Sequence, residues 1–539
     1  MASPAWNQSD SGFKSKMISR RRGRRRRRRT GSTLRSLERA NEESALSWDW
    51  NDTIPLPVGG SMRIKFGTDG WRGVIARDFT FDNLSLVAQA TMDYLIQTNA
   101  AGRGLVVGYD RRFLSREFAR RVAEIAAGNA IRVRLSDGYA PTPAISWAVR
   151  ESGAGAGIMV TASHNPPEYN GFKIKEAFGG SALPSTTSAL EEIVAANVAT
   201  GRPIQERPFD DALREGMIEY FDPCQGYFEQ IRRYVDLDLI AESGIAAVVD
   251  PMYGAGCGAI PRLLAGVDEI HCVENPCFGG QPPEPIGEHL AELSALVAGG
   301  TYRVGLALDG DADRIGAIDE NGDFFSSHCI FTVILRHLIE HKKLRGGVVK
   351  TVSSTRMVDL LAARYGLRLF ETPIGFKHIC ELMLKEDILM GGEESGGLGV
   401  KGHIPERDGI LMALLLLEVM AVNGKGLRQL LNETMDEIGH FFYRRIDHRI
   451  AEDAKERLVA RLRTEPPAEI ASRMVVATNF SDGFKFFFEN GDWLLIRPSG
   501  TEPVLRLYSE ATSPDRVDQL LREAELLAGV APGCQPASL

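Results

Sequence analysis

Three times between residues 105 and 397 the chain runs through the same order: a short apolar run, an amphipathic stretch, and a second apolar run that ends in a polar loop. Residues 105–110 (LVVGYD) lead into helical periodicity over 116–127, residues 246–250 (AAVVD) pass through a glycine-rich turn to 260–264, and residues 348–352 (VVKTV) lead to 357–365. The loops that close the units are 161–166 (TASHNP), 309–314 (DGDADR) and 392–397 (GEESGG). Valine-rich runs of this length read as buried strands, and the 3.6-residue periodicity between them as covering helices. Their alternation predicts an α/β architecture with an internal repeat. The last hundred residues depart from it: 484–488, Asn490-Gly491 and 493–496 read as a hairpin, 504–508 as a third strand and 515–527 as a closing helix. Expected domains are 62–210, 211–320, 321–435 and 436–539, since 539 residues exceed what one core can organise.

Composition narrows the function only by exclusion. Seven cysteines, none in a metal-binding spacing, read as reduced thiols, and the cytoplasm is the expected location. Residues 1–61 hold 13 Lys and Arg against 6 Asp and Glu, a net +7, and the remaining 50 against 65 leave an acidic body at −15. That body argues against a nucleic-acid partner. Within the leader, every position from 20 to 29 except Gly23 is arginine, so the block repels itself and is expected to be disordered. It resembles a transit peptide and lacks the apolar centre of a secretory signal. Met62 stands directly before the first domain-like residues, 63–67 (RIKFG), and is read as the natural start. RNA binding through the arginine block, with steep salt dependence, is the competing reading from another functional class. The longest apolar stretch, 410–422, is 13 residues interrupted by Glu418, too short to cross a bilayer, and predicts a buried helix.

The chemistry lies in the loops. Ser163 follows the apolar run 157–160, so a hydroxyl is expected at a sheet edge with the succeeding backbone N–H groups free for an anion. Asp309, Asp311 and Asp313 alternate through a glycine-containing loop, and three hard oxygen ligands suit Mg²⁺. A calcium loop would place its twelfth ligand at Glu320, but strands flank this loop where helices would be required. In 497–503 (RPSGTEP), a guanidinium, two hydroxyls and a glycine make a phosphate cradle. The loop 392–397 carries two acids and no lysine, so it repels phosphate and suits sugar hydroxyls. His164 beside Ser163 invites a hydrolase reading, but no GxSxG elbow surrounds the serine. A serine that carries a phosphoryl group needs cations opposite it, which the metal loop and Lys173 offer.

Together the four loops resemble the α-D-phosphohexomutase family, which contains phosphoglucomutases and phosphomannomutases, in order and spacing over residues 62–528. TASHNP matches its phosphoserine loop, DGDADR its metal loop, GEESGG its sugar-specificity loop and RPSGTEP its phosphate loop. Residues 66–73 (FGTDGWRG) are similar to the family's opening segment, and 372–377 (TPIGFK) and 403–409 (HIPERDG) to two further sugar-contacting loops. The resemblance implies three related mixed α/β domains plus a smaller α+β C-terminal domain, able to rotate, around one central cleft. It implies a catalytic centre of Ser163, His164, Lys173 and Arg72, with one Mg²⁺ per chain held by Ser163, Asp309, Asp311 and Asp313. Substrate contacts fall on Arg314, Gly375, Lys377, Glu393, Ser395, Arg407, Arg497, Ser499, Gly500 and Thr501.

The implied reaction interconverts hexose 1-phosphate and hexose 6-phosphate through phosphoserine. Hexose 1,6-bisphosphate is its intermediate and activator, and hexose phosphates are the partners. A phosphatase would instead release free phosphate. Glu393, Glu394 and Ser395 look more like the glucose-phosphate enzymes than the glucosamine-phosphate ones, where a Gln and a terminal His are usual. Gly396-Gly397 departs from the most familiar phosphoglucomutases. Glucose is the expected sugar, with mannose and glucosamine as alternatives.

Overall fold

In three successive sheets the same four strands recur in the same arrangement. Leu105–Tyr109 pairs in parallel with Val133–Ser136 on one side and Ala156–Val160 on the other, and Ala156–Val160 turns back antiparallel against Tyr169–Glu176. Ala247–Asp250 lies in the same way between Asp268–Glu269 and Val304–Leu308, which returns as Ile315–Ile318. Gly347–Thr351 lies between Leu369–Thr372 and Ile388–Gly392, which returns as Leu398–Val400. The predicted repeat is therefore topological, and the three polar loops occupy one equivalent turn. Each sits beyond the carboxyl end of a parallel strand, the edge where α/β sheets place their ligands. The strands that deliver them, Ala156–Val160, Val304–Leu308 and Ile388–Gly392, are buried at every position, which is why they read as unbroken apolar runs.

This computed structural model describes residues 64–67, 70–499 and 503–531. The leader 1–61, Met62, and the cradle residues Gly500 and Thr501 lie outside the described residues. Two strands fall beyond the expected boundaries: Ile218–Phe221 joins the first sheet beside Val133–Ser136, and Phe324–Phe325 joins the second beside Ile315–Ile318. Each is a short edge strand, too brief to announce itself by periodicity.

The C-terminal sheet has six strands in the order Phe442–Arg449, Val504–Ala511, Trp493–Pro498, Phe484–Phe488, Arg473–Asn479 and Glu469–Ile470, all antiparallel. The predicted hairpin, third strand and closing helix (Pro514–Ala528) are its centre. Phe442–Arg449 and Arg473–Asn479, missing from the sequence reading, are half-exposed strands whose polar residues mask the two-residue alternation. The second and third sheets share one apolar core, running from Tyr227 through Leu306 and Leu338 to Leu431, whereas the C-terminal sheet has its own around Leu494, Leu505 and Leu520.

The apolar stretch flagged in the sequence is the helix Gly409–Asn423, buried continuously from Gly409 to Met420 and capped by Asp408, which accepts from Leu411 N at 2.8 Å. Among the described residues no single helix is long and apolar enough to cross a membrane; this helix and Leu427–Ile438 pass only when counted together across a 77° bend. Its one charge, Glu418, accepts from Lys342 Nζ (2.9 Å), the backbone N–H of Asp236 (3.0 Å) and His337 Nε2 (3.1 Å). Burial alone would raise this carboxyl, but His337, Lys342 and the Asp236 N–H outweigh it and hold it at about 2.

A folded value below the unfolded one means that the carboxylate stabilises the chain at neutral pH and that this contribution fades as pH falls from about 4.5 towards about 2. Glu418→Gln should therefore cost about 3 kcal/mol at pH 7. In urea titrations the gap to the unsubstituted chain should shrink steadily below pH ~4; a gap independent of pH would contradict the pairing.

Candidate active site

The Ser163 turn is held from below by a buried arginine. Arg112, in an ion pair with Asp110 that is wholly removed from solvent, donates from Nη2 to the carbonyls of Ser163 and Asn165 (both 2.6 Å) and from Nη1 to those of Pro166 (2.8 Å) and Tyr169 (3.1 Å). Asp110 in turn accepts from Thr161 Oγ1 at 2.6 Å. So gripped, Ser163 adopts φ 55°, a left-handed conformation that a non-glycine residue keeps only when its surroundings impose it. Of the N–H groups expected to be free after the serine, Asn165 N is spent on the Ala162 carbonyl (3.1 Å), and Ser163 N itself donates to Thr161 Oγ1 (2.9 Å); His164 N donates to no described residue.

Ser163 Oγ donates to Asp309 Oδ2 at 2.7 Å, which joins the first loop to the second. The backbones also touch: a Cβ on Gly310 would lie 2.4 Å from the Ser163 carbonyl oxygen, so only glycine fits there. Asp309, Asp311 and Asp313 are fully buried, with ligand oxygens within 4.8 Å of one another. Lys173 Nζ donates to Asp311 Oδ2 (2.7 Å) and Asp313 Oδ2 (2.8 Å), Arg407 Nη2 lies 2.8 Å from Asp313 Oδ2, and Thr142 Oγ1 donates to Asp311 Oδ2 at 2.5 Å. Arg314 stands 3.9 Å from both Asp309 and Asp313.

Burial and the neighbouring charges of Asp311 and Asp313 push Asp309 well above the usual carboxylate range. Burial would also raise Asp311, but Lys173, Thr142 and Arg407 hold it below that range. Two oxygens of the triad, Asp311 Oδ1 and Asp313 Oδ1, are buried with no hydrogen-bond partner. Unspent carboxylate oxygens facing a third carboxylate are a donor set that a hard divalent cation completes, and the residues present fit Mg²⁺.

His164 Nδ1 lies 3.4 Å from Ser163 Oγ, and burial together with Arg314, Arg72, Lys173 and Arg112 depresses its pKa well below the ordinary value, so the ring is neutral. Arg72, on the strand Trp71–Val74, reaches the same turn through Asn165 Oδ1.

The third loop is bonded directly to the second: Ile315 N donates to the Gly396 carbonyl at 3.1 Å. Gly396 has φ 93°, and a Cβ there would meet the Ile315 carbonyl oxygen at 2.6 Å; one on Gly397 would meet Arg407 Cδ at 2.3 Å. The Gly396-Gly397 pair thus makes room for the metal loop and for Arg407. Glu393 is buried, accepts from Gly375 N at 2.9 Å and stands 3.7 Å from Arg407 Nη1. Burial raises its pKa, opposed by Arg407 and Arg314. Glu394 points elsewhere, to Arg445 on the C-terminal sheet at 3.1 Å.

A continuous chain of contacts therefore links Ser163, Asp309, Asp311, Asp313, Lys173, Arg407, Glu393 and Gly375. Ser395 and Lys377 sit partly exposed on the same loops, and no described carboxylate lies within 4.0 Å of Lys377. Arg497 approaches by another route: its Nε donates to Asp482 Oδ1 (2.8 Å), and Asp482 Oδ2 accepts from Ile374 N (2.9 Å) in the Gly375 loop. Ser499 is buried beside it, its carbonyl accepting from Lys455 Nζ at 3.1 Å. The sequence reading does not single out Arg112, Asp110, Thr142 or Asp482. Asp110 and Arg112 stand at the carboxyl end of the first strand, a position that could have flagged them; Thr142 and Asp482 carry no local signal.

Residues 63–200 match the phosphoglucomutase/phosphomannomutase alpha/beta/alpha domain I, residues 225–322 domain II, residues 326–438 domain III and residues 457–527 the C-terminal domain. The chain is 31% identical to a phosphoglucosamine mutase of Carboxydothermus hydrogenoformans, over 85% of its length and 97% of that protein's. It is 29% identical to a phosphoglucomutase/phosphomannomutase of Thermococcus kodakarensis, over 85% and 96%. A crystal structure from Thermus thermophilus described as a putative phosphomannomutase superposes with a TM-score of 0.75 at 36% identity, covering 87% of this chain and 100% of that one.

Calorimetric titration of Mg²⁺ should give one site per chain, weakened at least about tenfold by Asp313→Asn, which keeps the volume but removes a charge. An unchanged titration would remove Asp313 from the ligand set.

Proposed function

The chain belongs to the phosphoglucomutase/phosphomannomutase family and is a phosphohexomutase, an isomerase of hexose phosphates; from that premise we propose that glucose phosphates are its preferred substrates and that Ser163 carries the phosphoryl group. The observation that carries this reading is the 2.7 Å hydrogen bond from Ser163 Oγ to the buried Asp309, with Lys173 and Arg407 as counter-charges around the same triad.

In the resting state the serine bears a phosphoryl group. The P–O bond to Ser163 Oγ breaks as one forms to the free hydroxyl of a hexose monophosphate, whose proton leaves to a neighbouring base. The hexose 1,6-bisphosphate so formed turns over, and its other phosphoryl group returns to Ser163. Mg²⁺, which Ser163, Asp309, Asp311 and Asp313 would hold, supplies positive charge against the group in flight. Arg72, Arg112 and Arg314 surround the turn with fixed positive charge, and Arg112 keeps its carbonyls aimed away from the incoming oxygens. Lys173, bound to two carboxylates, acts as a preorganised counter-charge, and His164 Nδ1 stands 3.4 Å from the serine oxygen.

Of the two acids in the specificity loop, Glu394 is engaged by Arg445, which leaves Glu393 and Ser395 to accept sugar hydroxyls. Glu393 is preset by Gly375 N and Arg407. Lys377 and Arg497 are the cations on either side of that loop available to the phosphate that is not in transfer. Glucose is favoured by the Glu-Glu-Ser sequence itself; the names of the relatives span glucose, mannose and glucosamine.

Parallel coupled assays with glucose, mannose and glucosamine 1-phosphates, primed with the matching bisphosphate, should give the highest kcat/KM for glucose. A higher value for another sugar overturns the preference, and release of free phosphate without isomerisation would identify a phosphatase. Ser163→Ala should lower turnover at least about 10³-fold while leaving the thermal melt in place. Arg497→Ala should act mainly on KM, the mark of lost ground-state binding, and a pure kcat defect would contradict its place in the cradle.

A further inference from the structure

The C-terminal sheet carries a second gathering of arginines, drawn from both sides of the 497–503 loop in sequence. A cavity of about 440 Å³ opens at the start of the helix Pro514–Ala528, lined by Arg473, Asn490, Thr512, Asp515, Arg516 and Arg522 among others. Arg473 and Arg522 are exposed, and no carboxylate of a described residue lies within 4.0 Å of either. Arg516 differs in being buried, with its side chain only 9% exposed.

The guanidinium of Arg516 is incompletely satisfied. Nη1 donates to the Ala471 carbonyl (3.2 Å) and to Gln519 Oε1 (2.8 Å), Nε lies 3.5 Å from Asp492 Oδ2 without completing a hydrogen bond, and Nη2 has no partner. Asp492 is already occupied by Thr512 N (3.1 Å) and Asn490 Nδ2 (2.8 Å). Burial, and then the positive charge of Arg473, pull Arg516 below its ordinary pKa, and Asp492, 3.5 Å away, opposes them only in part. The helix end contributes little by itself, since Pro514 has no N–H and Ser513 Oγ already caps Arg516 N (3.3 Å). What draws an anion is three guanidinium groups around one opening against two acids, Asp515 in the lining and Asp492 3.5 Å from Arg516 Nε.

We propose that this cavity is a binding site for a phosphoryl dianion, separate from the catalytic cleft, with Arg473, Arg516 and Arg522 as its forks and the Asn490 amide and Thr512 hydroxyl at its rim. Arginine's planar donors match phosphate oxygens two at a time. The site also abuts the join between sheets. The Asn490 carbonyl accepts from Arg356 Nη1 of the third unit at 2.8 Å, and one residue past Asp492 the Trp493 indole donates to Glu510 Oε2 (2.9 Å), which also accepts from Arg356 N (2.7 Å). A ligand here therefore sits one turn away from the contacts that seat the C-terminal sheet.

Equilibrium dialysis of the full chain against radiolabelled inorganic phosphate tests the site without reference to mutase activity. Arg497→Ala, which weakens the cleft cradle, should leave phosphate binding at this site in place. In that background Arg473→Glu/Arg522→Glu should weaken the remaining binding by about tenfold or more. Both side chains are exposed, so folding should hold; an unchanged thermal melt checks this, and Arg473→Ala/Arg522→Ala serves as the milder pair. Displacement of the label by hexose 6-phosphate would assign the site to sugar phosphates, and failure to displace would assign it to free phosphate, either of which supports the proposal. Binding that the double substitutions leave unchanged, or no saturable phosphate binding in Arg497→Ala, overturns it. Loss of isomerase activity in Ser163→Ala bears only on the catalytic reading, so the two fail separately.

Discussion

Three carboxylates buried within 4.8 Å of one another can stay together only if positive charge is brought to them. The chain supplies it from three places: Lys173 comes from the first sheet, Arg314 from the metal loop itself, and Arg407 from the segment preceding the long buried helix. The same electrostatic demand that prepares the site thus fastens the first, second and third units to one another. Thr142, at the head of a first-unit helix, adds two bonds to Asp311, from its hydroxyl and its backbone N–H. With part of the carboxylate charge met by fixed side chains and two oxygens left unspent, the loop keeps a donor set that fits a divalent cation.

The repeated topology explains how three different chemistries meet. Each unit presents the turn that follows its third strand, and the turns converge because they occupy the same position in equivalent sheets. The Ser163 loop meets the aspartate loop at Ser163 and Gly310, and the aspartate loop meets the 392–397 loop at Ile315 and Gly396. Both junctions are backbone contacts where a Cβ would collide, so the register of one loop on the next is set by shape as well as by charge. That requirement gives a physical reason for Gly396-Gly397, the one motif that departs from the best-known glucose-phosphate pattern.

The apolar strands that lead into and deliver the polar loops, the helix after the first strand of each unit, and the polar character of each loop were legible because they are local: buried parallel strands read as apolar runs, and the polar loops interrupt them. The short edge strands and the half-exposed strands of the C-terminal sheet were not, since a few residues of mixed polarity carry no period. In the site, Ser163 and the three aspartates announced themselves by residue type and spacing. Arg112 did not, because its meaning depends on carbonyls 51 to 57 positions later. Arg407 reads from its motif as a substrate contact; its ion pairs with Asp313, Glu393 and Glu406 make it a strut as well, a role visible only once distant loops are adjacent.

The attachment of the C-terminal sheet follows a different physical rule. It has an apolar core of its own, and it meets the third unit through a small apolar patch, Val352 against Trp493, Leu495 and Tyr508, surrounded by polar pairs. Lys485 and Asn479 bond to Glu371, Asp482 to Ile374 N, Arg445 to Glu394, and Glu510 to Thr355 and Arg356 N. Polar groups on a parted surface regain hydrogen bonds from water, so separating such a join costs far less than opening the shared core of the second and third units. Arg497 is carried on this sheet while Ser163, the metal loop and Glu393 are carried on the others. On the proposed function, the cradle and the phosphoryl carrier are divided along this polar seam, which is what a reaction needs if its bisphosphate intermediate must turn end over end without leaving.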